Sequence, residues 1–194
     1  MSHHDPGAAP LVPWRLTICG LGELAAFADA GVDHVLSILD PDWPDPPAFA
    51  AYGPHRRVVQ RFDDVVTVRD ETAPPEVGHV EAILRFADLL ATARARHVLV
   101  HCHAGVSRST AAAAILLARD RPGREADAFA ELARLRPRSW PNSRMLAIAD
   151  RLLRRDGALT AALRTHQARV AAADPEFADM LKGGERAHEV PGLG

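Results

Sequence analysis

The chain has only two cysteines, Cys19 and Cys102, in 194 residues. They supply neither a disulfide framework nor a metal-type cysteine spacing, which excludes a stapled secreted scaffold and makes a reducing cytoplasm the expected setting. No apolar run approaches the roughly 20 residues that cross a bilayer, and the N-terminal stretch lacks a signal-peptide hydrophobic region. A strong charge of either sign is also missing. The formal net charge is −2, which leaves no electrostatic case for nucleic acid or an anionic membrane as partner. There is no internal repeat, and His3-His4 is too short a tract for a tag or a metal site.

What is present is an alternation of two hydrophobic periods. Short runs rich in β-branched residues at 14–19, 34–39, 56–62 and 97–101 read as strands, and helical periods lie between and after them. The clearest helix is 76–95, entered through Pro74-Pro75, with Val77, Val80, Ile83, Leu84, Ala87 and Leu90 on one face. Residues 110–118 are apolar all round, as a central buried helix should be. Further helices are expected at 124–135, 142–155 and 158–172, with Asn142 capping the second of these and Met145, Leu146, Ala149, Leu152 and Leu153 turned inward. Such alternation implies an α/β layer structure, with a mainly parallel central sheet of four to five strands flanked by helices. The length suits one domain, residues 13–181, between an N-terminal tail (1–12) and a frayed C-terminal tail (182–194).

At one strand-to-helix junction stands His101-Cys102-His103-Ala104-Gly105-Val106-Ser107-Arg108-Ser109. Ligands of parallel sheets bind beyond the carboxyl ends of strands, and this junction carries the residue types for anion chemistry. A loop this short curls so that the backbone N–H groups of residues His103 to Arg108 point inward at a tetrahedral dianion, and the following helix adds its positive N-terminal end. The same field favours a thiolate at Cys102. Arg108 offers a planar fork for two phosphate oxygens. Gly105 turns the backbone where a Cβ would clash, and Ser109 can hydrogen-bond the Cys102 sulfur and help it depart. Together they make a phosphate-binding nucleophilic loop.

This segment resembles the His-Cys-x-x-Gly-x-x-Arg-Ser signature of the cysteine-based protein tyrosine and dual-specificity phosphatases, most closely the compact bacterial tyrosine-phosphatase-like proteins. The likeness extends over about residues 16–153. It implies a tyrosine-phosphatase-like fold and a phosphomonoesterase with a phosphocysteine intermediate, needing no metal or cofactor. Its substrate would be a phosphorylated protein, with phosphotyrosine foremost. By resemblance Cys102 attacks phosphorus, Arg108 binds the phosphoryl oxygens, and an aspartate on another loop protonates the leaving oxygen. Bacterial relatives typically end the preceding strand Phe-x-Asp plus an aliphatic residue, which matches Phe62-Asp63-Asp64-Val65 and points to Asp64. Asp63 and Asp70 compete, the latter through its distance before the cysteine. His101 orients the loop in relatives, while His103 occupies a variable position.

Other features have plainer explanations. The proline-rich stretch 40–47 reads as a surface turn with Trp43 tucked in, or else as a substrate-facing rim. Arg134, Arg136, Arg138 and Arg144 read as a solvated face, against a patch that greets an acidic phosphoprotein. Cys19 reads as an inert buried thiol, against an oxidative partner for Cys102. Rhodanese-type loops place one residue between glycine and arginine where this loop has Val106 and Ser107. Phosphoinositide phosphatases tend to carry a loop lysine that is missing here. A phosphoinositide or small-phosphomonoester substrate, and a non-catalytic phosphate-binding module, are the alternatives. Oligomeric state and tyrosine-only versus dual specificity are left open by the sequence.

Overall fold

The computed structural model describes residues 10–192, so His3 and His4 lie outside it. Four strands, β1 (Arg15–Cys19), β2 (His34–Leu39), β3 (Arg56–Arg61) and β4 (His97–His101), form a wholly parallel sheet in the order β1-β4-β2-β3. Both Cys19 of β1 and Ser37 of β2 stand opposite His101. The end of β4 therefore opens between two neighbours, where the loop of interest begins.

Side chains alternate across the strands with a period of two. Leu16, Ile18, Leu36, Ile38, Val98 and Val100 join the larger core, whereas Cys19, Val35 and Leu99 join a smaller one on the opposite face. The larger core is closed by helices α1 (Val77–Ala93), α2 (Arg108–Ala118), α3 (Glu125–Leu135), α4 (Ser143–Leu152) and α5 (Ala158–Ala173). Two 3-10 turns, Leu21–Phe27 and Pro47–Ala51, supply Leu24 and Phe49 to the smaller core.

Helix α2 is the hub, packed against β1, β2 and β4 and against α1, α3 and α4. Ala111, Ala112, Ala113 and Ala114 are fully buried, and their small side chains allow that close approach. An added side chain there would overpack the centre, at about 1–3 kcal/mol. Helix α4 starts where expected, with Asn142 Oδ1 accepting from Met145 N at 3.0 Å.

Several expectations need correction. Val77 is exposed because it opens α1 before the helix meets the core, and Leu152, at the end of α4, is partly exposed while Ile148 packs inward. A further helix, α6 (Pro175–Lys182), is capped by Asp174, whose carboxylate accepts from Phe177 N at 3.0 Å. The described part of the segment expected to fray, residues 182–192, instead folds back. Val190 is buried with Trp140, Val170, Phe177 and Ala178, and Trp140 Nε1 donates to Glu189 Oε2 at 2.7 Å.

Candidate active site

Residues 102–107 join β4 to α2, and their carbonyls are tied outward one after another. Leu21 N donates to His103 O at 2.8 Å, Arg136 donates to the carbonyls of Ala104 (3.2 Å) and Gly105 (3.0 Å), Trp140 N donates to Val106 O at 2.8 Å, and Ala111 N to Ser107 O at 2.9 Å. Each peptide is planar and none is cis. A carbonyl turned outward therefore turns the next residue's N–H inward, and the N–H groups of Ala104 to Arg108 converge on the space enclosed by the loop. That is a cradle for an anion at a helix N-terminus.

Two glycines make the cradle compact. Gly105 has φ +70°, and a Cβ there would lie 2.5 Å from the Cys19 carbonyl carbon and 2.6 Å from Gly20 N. A Cβ on Gly20 would lie 2.8 Å from His103 O. The end of β1 and the loop thus touch backbone to backbone. Gly20 was not singled out from sequence, because nothing local marks a close approach to a loop some 80 residues away.

Cys102, 2% exposed, directly follows β4, with its Sγ 3.2 Å from Ser109 Oγ. Arg108 is 3% exposed. Its Nη1 donates to Asp40 Oδ1 at 2.6 Å and to Phe62 O at 2.5 Å, while its buried Nε has no partner among the described residues. Asp40 stands at the end of β2, and sequence reading missed it. Its only local signal was a carboxylate at a strand end beside a proline-rich turn. Asp40 also lies against His103, its N–H donating to His103 Nε2 at 3.3 Å, and the Trp43 ring meets His103 edge-on at 4.5 Å. Trp43 is 45% exposed, so it is not tucked in as expected. Burial is the main cause that holds the His103 imidazole below its ordinary range.

The three candidate aspartates separate cleanly. Asp64 reaches the loop: its Oδ1 accepts from Ser107 Oγ at 2.7 Å, Asn142 Nδ2 at 3.0 Å and Arg186 Nη2 at 2.6 Å. Asp63 closes the following loop on itself, accepting from Ala73 N at 2.7 Å while its own N–H donates to Ala73 O at 2.7 Å. Asp70 is exposed in that loop.

Behind the cradle, polar side chains fix its supports. Arg57 Nε donates to Ser37 Oγ at 2.8 Å, and Ser37 Oγ lies 2.7 Å from His101 Nε2. The carbonyl Cys102 O, 3.4 Å from Nδ1, can only accept, which places the ring proton on Nδ1 and leaves Nε2 to accept the Ser37 hydroxyl. That neutral tautomer agrees with burial, which pushes His101 down to about 4. Arg136 is the other support, and its fork holds both oxygens of Glu23 at 2.7 Å. The four clustered arginines do not share a face. Arg134 pairs with Glu131, Arg138 with Asp174, and Arg144 donates to Pro75 O, so only Arg136 serves the loop. Cys19 is wholly buried, and burial, with the Glu23 charge adding, pushes its thiol up to about 12. Among the described residues no group of three or more His, Cys, Asp or Glu side chains is placed to hold a metal ion, and no helix is long and apolar enough to cross a membrane.

No family model matches the sequence. The folded chain, however, matches solved phosphatases over nearly their whole length. Human DUSP28 is 20% identical with a TM-score of 0.56, covering 79% of this chain and 99% of that one. The Yvh1 phosphatase domain from Chaetomium thermophilum is 21% identical with a TM-score of 0.55, covering 79% and 96%. The active form of Tk-PTP is 22% identical with a TM-score of 0.52, covering 77% and 98%. The fold is that of the dual-specificity phosphatases. Within this fold, the β4–α2 loop and the β3 end bring Cys102, Arg108, Ser109 and Asp64 to one end of the sheet, while Asp63 bonds the following loop through Ala73 and Asp70 is exposed in that loop.

Proposed function

We propose that the protein is a cytoplasmic, metal-independent phosphomonoesterase that works through a phosphocysteine intermediate, with phosphotyrosine in proteins as its main substrate. The observation that carries this reading is the one loop that joins the Cys102 sulfur, beside Ser109, through outward-tied carbonyls to Arg108, with Asp64 bound to the loop's own Ser107. Cys102 Sγ attacks phosphorus in line, forming the S–P bond as the P–O bond to the leaving group breaks. The loop amides and Arg108 stabilise the equatorial oxygens as charge redistributes. Asp64 gives its proton to the departing oxygen. In the second half it takes a proton from water, whose oxygen attacks phosphorus, and Cys102 leaves as a thiolate that the Ser109 hydroxyl stabilises. Arg108 must first exchange Asp40 for the incoming phosphoryl group.

The test pairs two variants. Cys102→Ser should abolish turnover while retaining binding of inorganic phosphate; full turnover would refute the covalent route. Asp64→Asn should slow phosphotyrosine hydrolysis by roughly the 10²–10⁴-fold of acid–base catalysis, with a far smaller loss on a fluorinated aryl phosphate whose leaving group needs no proton. If Asp63→Asn or Asp70→Asn showed that pattern instead, the acid would be misassigned while the thiolate chemistry stood. Hydrolysis of phosphoinositides in preference to phosphotyrosine peptides would favour the lipid alternative.

A further inference from the structure

Asp64 is held by three donors, and all of them meet the same oxygen. Ser107 comes from the phosphate loop and Asn142 from the cap of α4. The third, Arg186, comes from the C-terminal segment beyond α6. The Arg186 side chain is only 13% exposed. Its Nη2 is shared between Asp64 Oδ1 and Ser107 Oγ (2.7 Å), and its Nη1 donates to Trp140 O at 3.1 Å. The segment that presents it is fastened on both sides. Glu189 receives Trp140 Nε1 and Val190 is buried, while Glu185 pairs with Arg69 of the loop that follows Asp64.

We infer that Arg186 is a positioning residue for the proton transfer, a role that rests on the reading of Asp64 as the acid. With Ser107, Asn142 and Arg186 all donating to Oδ1, the acidic proton belongs on Oδ2. The carboxyl group is then rotationally locked, since any turn about its bond to Cβ breaks three hydrogen bonds at once. When the Oδ2–H bond breaks and the proton moves to the leaving oxygen, the charge left on the carboxylate develops against the Arg186 guanidinium. A preorganised cation at that place lowers the barrier only for substrates whose leaving oxygen must be protonated. Ser107 couples the same contact to the loop, so acid and cradle are aligned as one unit. The α6 extension thereby becomes part of the active site rather than a trailing end.

The experiment uses the full chain with Arg186→Ala and Arg186→Lys, each alone and with Asp64→Asn, assayed on a phosphotyrosine peptide and a fluorinated aryl phosphate. Arg186→Ala should lower kcat on the phosphotyrosine peptide roughly tenfold or more, part of the 10²–10⁴ that acid catalysis supplies, with KM little changed. It should leave kcat on the fluorinated substrate within about twofold. Arg186→Lys should recover part of the loss, and Arg186→Ala should add nothing in the Asp64→Asn background. An equal loss on both substrates would mean a merely structural contact and would overturn the inference. A gain on both would make the segment a plug and overturn it equally. If Asp64→Asn is leaving-group selective but Arg186→Ala is not, the positioning role alone fails; if Asp64→Asn is not selective, the acid assignment and this inference fall together.

Discussion

Lowering the pH from 7 to 5 should cost the fold about 3–4 kcal/mol through two buried imidazoles. Burial holds His101 and His166 down to about 4, with nearby Arg57 and Arg169 acting in the same direction. In the unfolded chain each titrates near ~6.5. Below that value the unfolded state takes up protons that the folded state refuses until about pH 4, so stability falls as pH falls through this window. Each group contributes roughly 2 kcal/mol of loss between pH 7 and pH 5. The two sit in different parts of the core, so their effects should add. His97, also lowered by burial, acts in the same direction. Asp33 does not blur the result. Burial opposes its charge, but hydrogen bonds from His34 and from the N–H groups of Arg96 and His97 prevail and hold it at about 2, so its contribution is lost only at more acid pH. Urea unfolding followed by tryptophan fluorescence at pH 7, 6 and 5 measures the change directly, and His166→Gln should remove about half of it. A difference below about 1 kcal/mol between pH 7 and 5 would refute the reasoning. Since whole domains are stable by only about 5–15 kcal/mol, an acid fall in activity must be separated from unfolding before it is assigned to the nucleophile.

Two further outcomes follow from the site. Asp40→Asn removes the partly exposed carboxylate that occupies Arg108, so inorganic phosphate should inhibit at roughly two- to fivefold lower concentration, the range of a solvent-screened ion pair; weaker inhibition would show that Asp40 orients Arg108 rather than competing for it. Gly105→Ala must place a side chain into the Cys19–Gly20 backbone at a positive φ, so thermal unfolding should register at least the ~1–2 kcal/mol of the left-handed conformation, and activity should fall with it. A fully active, equally stable variant would mean that the loop can leave β1 without consequence.

The parts of the site legible in the sequence were those encoded locally. Cys102, Gly105, Arg108 and Ser109 lie within one strand-loop-helix unit, and the same residues that signal the loop also build it. The four strands could be read because β-branched runs and proline or glycine punctuation are local signals. Asp64 was legible only through resemblance, since two adjacent carboxylates at a strand end look alike until the chain folds and one of them meets Ser107. Asp40, Gly20, Arg136 and Arg186 were not legible as site residues. Each reaches the loop from another element, and nothing in the residues around them distinguishes them from solvated charges or a turn glycine. The C-terminal segment was misjudged for the same reason, because Val190 and Glu189 acquire partners only when Trp140 is brought beside them.

The outward tethering of the loop carbonyls has a consequence for how the surface should be interpreted. Glu23 is 43% exposed at its side chain, and judged by exposure it would pass as freely replaceable. Yet it clamps Arg136 with both oxygens and receives Gly20 N at 2.7 Å, and Arg136 in turn holds two peptide groups of the cradle in their orientation. Drift at this outlying position would therefore be felt as a change in the geometry of the β4–α2 loop, with no loss of core packing to announce it.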